Sequence, residues 1–116
     1  MRHHNKNKKF GRETGQRDAL LRSLTEGLVK HGRIETSLIK AKALRRFIEP
    51  MITKGKKPTL ATRKLIISRF GTEARAKKFL TDVAPRYLNR AGGYTRVIKL
   101  PIRKGDGSAR AIIELV

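Results

Sequence analysis

The chain has 116 residues, with 29 lysines and arginines against 9 acids, a formal charge of +20 and 38% hydrophobic residues. That is one domain of ordinary size, able to bury roughly two thirds of the surface its unfolded form exposes. The lack of cysteine excludes a disulfide framework and a cysteine-based zinc site. No apolar run approaches the roughly 18 residues of a membrane span. The polar, basic start reads as neither a secretory signal nor a transit peptide, so the expectation is a soluble protein of the cytoplasm.

The positive charge is spread along the whole chain. Residues 1–10 carry four bases and no acid, 11–58 twelve against five, 59–90 eight against two, and 91–116 five against two. A charge of this size repels itself in the compact state unless a polyanion neutralises it. Nucleic acid fits better than a membrane surface, because surface-lying helices pair one basic face with one strongly apolar face.

Residues 1–12, MRHHNKNKKFGR, hold one large apolar side chain, Phe10, and no period. They read as a basic arm that orders only against a partner, ahead of a domain spanning 13–116. From Thr14 the spacing of Leu20, Leu24 and Leu28, with Leu21 beside them, predicts a helix, with Asp18 expected in its first turn. Lys30, His31 and Gly32 form its C-terminal signature. Arg33 to Thr36 alternate as a short strand, and Ser37 is placed to cap the next helix. There Leu38, Ala41, Leu44, Ile48 and Ile52 keep a helical period, with Lys42, Arg45, Arg46 and Glu49 on the other face. Pro50 is expected to kink or end this helix near Glu49, with a further turn to Lys54.

Pro58 and Thr59 open a third helix running to about Phe70, and Thr72 caps a fourth carrying Ala76, Phe79, Leu80 and Val83, with Pro85 as its stop. Tyr94 to Leu100 and Ala109 to Leu115 read as a hairpin around GDG. The result is an α+β fold of order α-β-α-α-α-β-β, a small mixed sheet covered by helices in two layers.

Short motifs argue against an enzyme. Gly27 to Arg33 has the glycine spacing of a phosphate loop but lacks its Lys-Ser/Thr ending and spans a helix end. Ser37 to Lys40 matches S-x-x-K, which the capping role of Ser37 explains fully. Met1-Arg2-His3 could chelate copper only as any chain beginning X-X-His can. His31 stands alone, and no acid pair forms a dyad. No cofactor, metal or small-molecule substrate is expected.

The informative segment is RAGGYTR, Arg90 to Arg96. Gly92 and Gly93 let backbone approach another surface, Arg90 and Arg96 offer planar forks for phosphate, and Tyr94 offers a ring and a hydroxyl. The same residues read equally well as a glycine turn before a strand, with Tyr94 in the core. Lys42, Arg45 and Arg46 are either a solvated face or an RNA-facing stripe, and the overall charge favours RNA. With aromatics at only 5%, single-strand stacking is a poor fit. A free DNA-binding regulator using the third and fourth helices is the rival reading, but a flexible basic arm with charge on every side suits burial in a large folded RNA.

MRH at the start, RDALLRSL, LVKHGRIETS, KAKALRRFIEPMIT, APRY followed by RAGGYTR, and the closing IIELV together resemble bacterial-type large-subunit ribosomal protein seventeen, over Met1 to Val116. The resemblance implies the same two-layer fold, a structural role in the large subunit and contacts with large-subunit rRNA. It also implies a place near the mouth of the nascent-chain tunnel beside other large-subunit proteins, protein thirty-two in particular. The residues expected to meet RNA are Arg2, His3, Lys6, Lys8, Lys9, Arg12 and Arg17 at the start, Lys42, Arg45 and Arg46 on the second helix, and Arg90, Gly92, Gly93, Tyr94 and Arg96. One departure stands out: where many members have a run like NRSSHR before the first helix, this chain has GRETGQR. Thr14 can still cap there, but a phosphate contact from a second hydroxyl or a histidine does not carry over.

Overall fold

The first helix in the computed structural model, α1, spans Thr14–His31, and residues 14–116 are those the structure describes. The arm, with Arg2, His3, Lys6, Lys8, Lys9 and Arg12, lies outside them. Because α1 starts at Thr14, Asp18 falls in its second turn, and no acid occupies the first. Gly32, at φ 78°, stops the helix and donates its N–H to the Leu28 carbonyl at 2.8 Å. Of the leucines on its apolar stripe only Leu28 is fully buried, with Leu24 and Val29 packed partly against the core. Thr25 is also fully buried, and its hydroxyl donates to the Leu21 carbonyl at 2.7 Å, so no polar atom is stranded.

Strand β1 (Arg33–Ser37) leads directly into α2 (Leu38–Gly55), with Ser37 ending one and capping the other through the Lys40 amide at 3.3 Å. Of the two outcomes expected at Pro50, the helix does not end there: α2 continues through it to Gly55, one residue past Lys54. Pro50 lies on the exposed side of α2, while Ile48, Met51 and Ile52 anchor the helix on the buried side.

Helices α3 (Leu60–Phe70) and α4 (Glu73–Asp82) form a tight pair. Thr59 and Thr62 exchange side-chain-to-backbone bonds as a capping box, at 3.2 and 2.7 Å, and Gly71 closes α3 at φ 87°. Arg22 of α1 then reaches over that end, donating to the carbonyls of Arg69 at 3.0 Å and Ser68 at 3.2 Å. Thr72 caps α4, whose Phe79 ring meets Phe70 at 4.8 Å between centroids. Pro85 does not simply stop the chain. It sits at the start of a 3₁₀ turn, Ala84–Tyr87, that buries Ala84 and Tyr87.

β2 (Thr95–Lys99) and β3 (Arg110–Leu115) form the expected hairpin, and β1 pairs on the other side of β3 to give the order β1-β3-β2. Both pairings are antiparallel, so the sheet is not mixed. β1 and β2 do run in the same direction, but the central strand separates them. The register sets Arg33, Glu114 and Arg96 in one row across the sheet. Alternation then decides the faces. Ala111 and Ile113 are fully buried under the helices, whereas Arg96, Ile98 and Glu35 are exposed on the opposite, solvent face.

Candidate nucleic-acid interface

On α2, Lys42, Arg45, Arg46, Glu49 and Thr53 recur every three or four residues, so one face carries them all while Ala41, Leu44 and Ile48 pack inward. Glu49 ties this face to the sheet. Its Oε1 accepts from the Thr95 amide at 3.2 Å and the Thr95 hydroxyl at 2.9 Å, and it stands 3.6 Å from Nε of Arg45. An exposed ion pair of that kind adds little stability. The two bonds from Thr95, itself only 4% exposed, matter more because each partner would otherwise be buried without one.

The Arg90 to Arg96 segment divides into parts with different roles. Gly92 and Gly93 take φ of 149° and 61°, conformations that side-chain-bearing residues avoid, so the glycines are required by the turn itself. A Cβ on Gly92 would meet nothing within 4 Å, leaving its backbone face open. Arg90 folds back, its Nε donating to the Gly92 carbonyl at 3.1 Å, and Lys56 donates to the Arg90 carbonyl at 2.6 Å. Tyr94 is 1% exposed, so its ring belongs to the core and cannot stack on a base from outside. The ring packs edge-on to Tyr87 at 5.2 Å and carries the Lys56 ammonium 5.2 Å from its centroid, with its hydroxyl 3.1 Å from that of Thr53. The interaction with Lys56 first, and then the Thr53 hydrogen bond, hold the Tyr94 phenol below its ordinary value. At Tyr87, which donates to the Val116 carbonyl at 2.8 Å, burial pushes the phenol up.

Arg96 points to the solvent face of the sheet, where its Nη1 meets Glu114 at 2.9 Å. Arg90 thus bonds within its own turn, while Arg96 lies on the outer face of the sheet. What the fold brings together is a groove of about 440 Å³ between α2 and the glycine turn, lined by Arg45, Arg46, Glu49, Pro50, Thr53, Gly92 and Tyr94. Lys42 is exposed a turn earlier on α2, and Arg17 is half-buried in the first turn of α1; neither lines the groove. Two guanidinium groups beside open glycine backbone suit an RNA strand. The sequence reading found Arg45, Arg46 and Gly92 but gave Glu49, Pro50 and Thr53 no part. The partners of Glu49 and Thr53 lie more than forty positions away, at Thr95 and Tyr94, and no local pattern announces them.

Elsewhere three more acids pair with arginines inside the fold. Glu26 pairs with Arg75 at 3.0 Å, Glu35 with Arg110 at 2.7 Å, and Asp106 with Arg103 at 3.6 Å. Among the described residues no lysine appears in these ion pairs, and Lys56 is engaged by the Arg90 carbonyl and the Tyr94 ring. His31 is exposed at the end of α1, and no three His, Cys, Asp or Glu side chains among the described residues gather as metal ligands. Nor is any described helix long and apolar enough to cross a membrane.

A two-layer α+β fold carrying a net charge of +20 defines a class of small, strongly basic proteins. Residues 20–116 match the family described as Ribosomal protein L17. The chain is 47% identical over 116 residues to the large ribosomal subunit protein bL17 of Fusobacterium nucleatum subsp. nucleatum, covering 100% of both chains. It is 45% identical over 120 residues to the protein of the same name from Nautilia profundicola, covering 100% of this chain and 98% of that one. The chain belongs to the ribosomal protein L17 family. It is a structural ribosomal protein and not an enzyme, and the reading as a free DNA-binding regulator is set aside.

Proposed function

We propose that this protein is a structural constituent of the large ribosomal subunit that binds large-subunit rRNA in the cytoplasm and stabilises its packing by neutralising phosphates. The observation that carries the reading is the imbalance of charge: +20 over 116 residues, with 29 lysines and arginines against 9 acids. Arg45 and Arg46 bond phosphates at the α2 groove, with Lys42 beside them. Residues 1–12 thread between RNA segments, Arg2, Lys6, Lys8, Lys9 and Arg12 meeting phosphates along the way. Neighbouring large-subunit proteins, protein thirty-two among them, complete the surroundings.

Sedimentation tests the assembly and salt dependence tests the chemistry. The protein should travel with large subunits through a sucrose gradient at low salt. Its affinity for rRNA fragments should fall steeply with salt, at a slope corresponding to on the order of six to ten neutralised phosphates. Arg45→Ala should weaken that binding more than Arg96→Ala, because Glu114 already occupies one side of the Arg96 fork. A protein that stays at the top of the gradient, or a flat salt plot, refutes the proposal.

A further inference from the structure

Antiparallel pairing fixes the direction in which each backbone group of β2 points. The Leu100 N–H donates to the Arg110 carbonyl at 2.9 Å and the Val116 N–H to the Tyr94 carbonyl at 2.9 Å, so the even-numbered residues here turn their backbone groups toward β3. Thr95, Val97 and Lys99 then turn theirs away from it. Glu49 takes the Thr95 amide, and Pro101 has no N–H to offer, so the open stretch of edge is Val97 to Lys99. The order β1-β3-β2 leaves no strand on that side among the described residues. Such an edge accepts another extended chain, whose main chain supplies the matching donors and acceptors.

The outer face beside this edge says what kind of chain fits. Across the sheet one row reads Arg33, Glu114, Arg96, alternating in sign, with 2.9 Å between Arg96 and Glu114. The next row reads Glu35, Ile112, Ile98, and Ile98 is 38% exposed at its end. Arg110 reaches back to Glu35 at 2.7 Å, so both acids of this face are paired with arginine. A phosphate would meet two carboxylates and an apolar centre here, a poor match for an anion. A second copy of the chain is equally poor, because each carries +20. Lys99, exposed on the edge, discourages pairing with strands that are themselves basic.

We propose that β2 receives a short extended segment of a neighbouring large-subunit protein as a fourth strand, bonded to the outward backbone groups of Val97 and Lys99. That segment carries an acid beside Arg96 and an apolar residue two positions away beside Ile98. The acid continues the alternation of the first row and the apolar residue covers the end of the second, both favourable cross-strand pairs. The inference rests on the large-subunit reading and adds a protein contact of defined chemistry to it.

The test places p-benzoylphenylalanine at position 98 of the full chain, in place of Ile98, in cells whose large subunits take up that protein. Subunits are purified and irradiated, and the products are mapped by mass spectrometry. One polypeptide should be captured, through an extended segment with an acid two positions from an apolar residue. Lys99→Pro removes one outward N–H and leaves the β2–β3 ladder whole, because that N–H does not face β3. It should lower the yield on the order of fivefold, the loss expected of one hydrogen bond. Lys99→Ala keeps the N–H and should leave the yield unchanged. Thermal melts show that both variants are folded, and hydrogen exchange of the unsubstituted protein decides without any variant: the Val97 and Lys99 amides should exchange quickly in the free protein and slowly in the subunit. Capture of rRNA, no product from subunits that contain the protein, or equal exchange in both states refutes the fourth strand and leaves the ribosomal reading standing. A polypeptide product undiminished by Lys99→Pro overturns the strand pairing. If the protein never enters large subunits, the ribosomal reading fails and the fourth strand with it.

Discussion

Two helical glycines should respond to the same substitution with opposite sign. Gly27 lies within α1, where a methyl group would meet only Cγ2 of Ile34, at 3.5 Å, an ordinary contact. Gly27→Ala then keeps the general benefit of removing a helical glycine, about 0.5–1 kcal/mol, most of it through the less flexible unfolded chain. Gly55 is buried at the last position of α2, where a methyl group would stand 3.1 Å from Cδ2 of Leu80, 3.2 Å from Cβ of Ala84 and 3.4 Å from Cε1 of Phe79. The leucine tip can swing aside. The Ala84 methyl cannot, because it is fixed to the backbone of the 3₁₀ turn. Crowding of this kind costs about 1–3 kcal/mol, and the propensity gain at a helix end offsets only about 0.5 kcal/mol of it. Gly55→Ala should therefore destabilise by about 1–2 kcal/mol and Gly55→Val by more. Urea unfolding of the free protein at one fixed salt concentration measures all three, with an unchanged m-value as the condition for comparing midpoints. If Gly55→Ala and Gly27→Ala shift the midpoint in the same direction, α2 does not press against the 3₁₀ turn as closely as described.

Tyr94→Phe should cost about 1 kcal/mol in urea unfolding through loss of the Thr53 bond and leave affinity for rRNA fragments within about twofold, as a core ring requires. Arg22→Ala should cost about 1 kcal/mol, because the last carbonyls of α3 lose their donor, and amide exchange should quicken in that turn before it does in α2. In the β2–β3 loop, hydrogen bonds from the Ser108 amide and then its hydroxyl hold the Asp106 carboxyl below the ordinary 3.8. A depressed acid contributes stability above its unfolded value and loses it as pH falls through the folded one. NMR titration should accordingly place the Asp106 midpoint below 3.8, with the Ser108 amide signal moving in the same step. A midpoint at the ordinary value would mean that the loop is open in solution.

The helices were legible because their signals are local: caps at Ser37, Thr59 and Thr72, glycine stops at Gly32 and Gly71, and apolar spacing in between. Pro50 left two outcomes open, a kink or an end, because its consequence depends on which side of α2 faces water, and that follows from packing. The sheet was legible as three strands and as a β2–β3 hairpin, but not in the pairing of β1 with β3, which joins segments more than seventy positions apart. The groove was half-visible for the same reason. Arg45, Arg46 and Gly92 carry compositional signals, whereas Glu49 and Thr53 gain their meaning only from Thr95 and Tyr94 across the fold. Tyr94 itself stood between two readings until the fold placed its ring beside Tyr87.

The order β1-β3-β2 also bears on when this protein can fold. Both outer strands depend on the central one, and the central one is the last element in chain order. During synthesis α1, β1 and α2 are available early, yet β1 has no neighbour and β2 none either until residues 110–115 emerge. The buried halves of α1 and α2 meanwhile lack the β3 surface, with Ala111 and Ile113, that packs against them. Non-local pairing of this kind folds late and only after a long loop has closed. A nascent chain that already exposes most of its positive charge should thus be able to meet polyanions before its sheet exists, so that binding and completion of the fold compete in time.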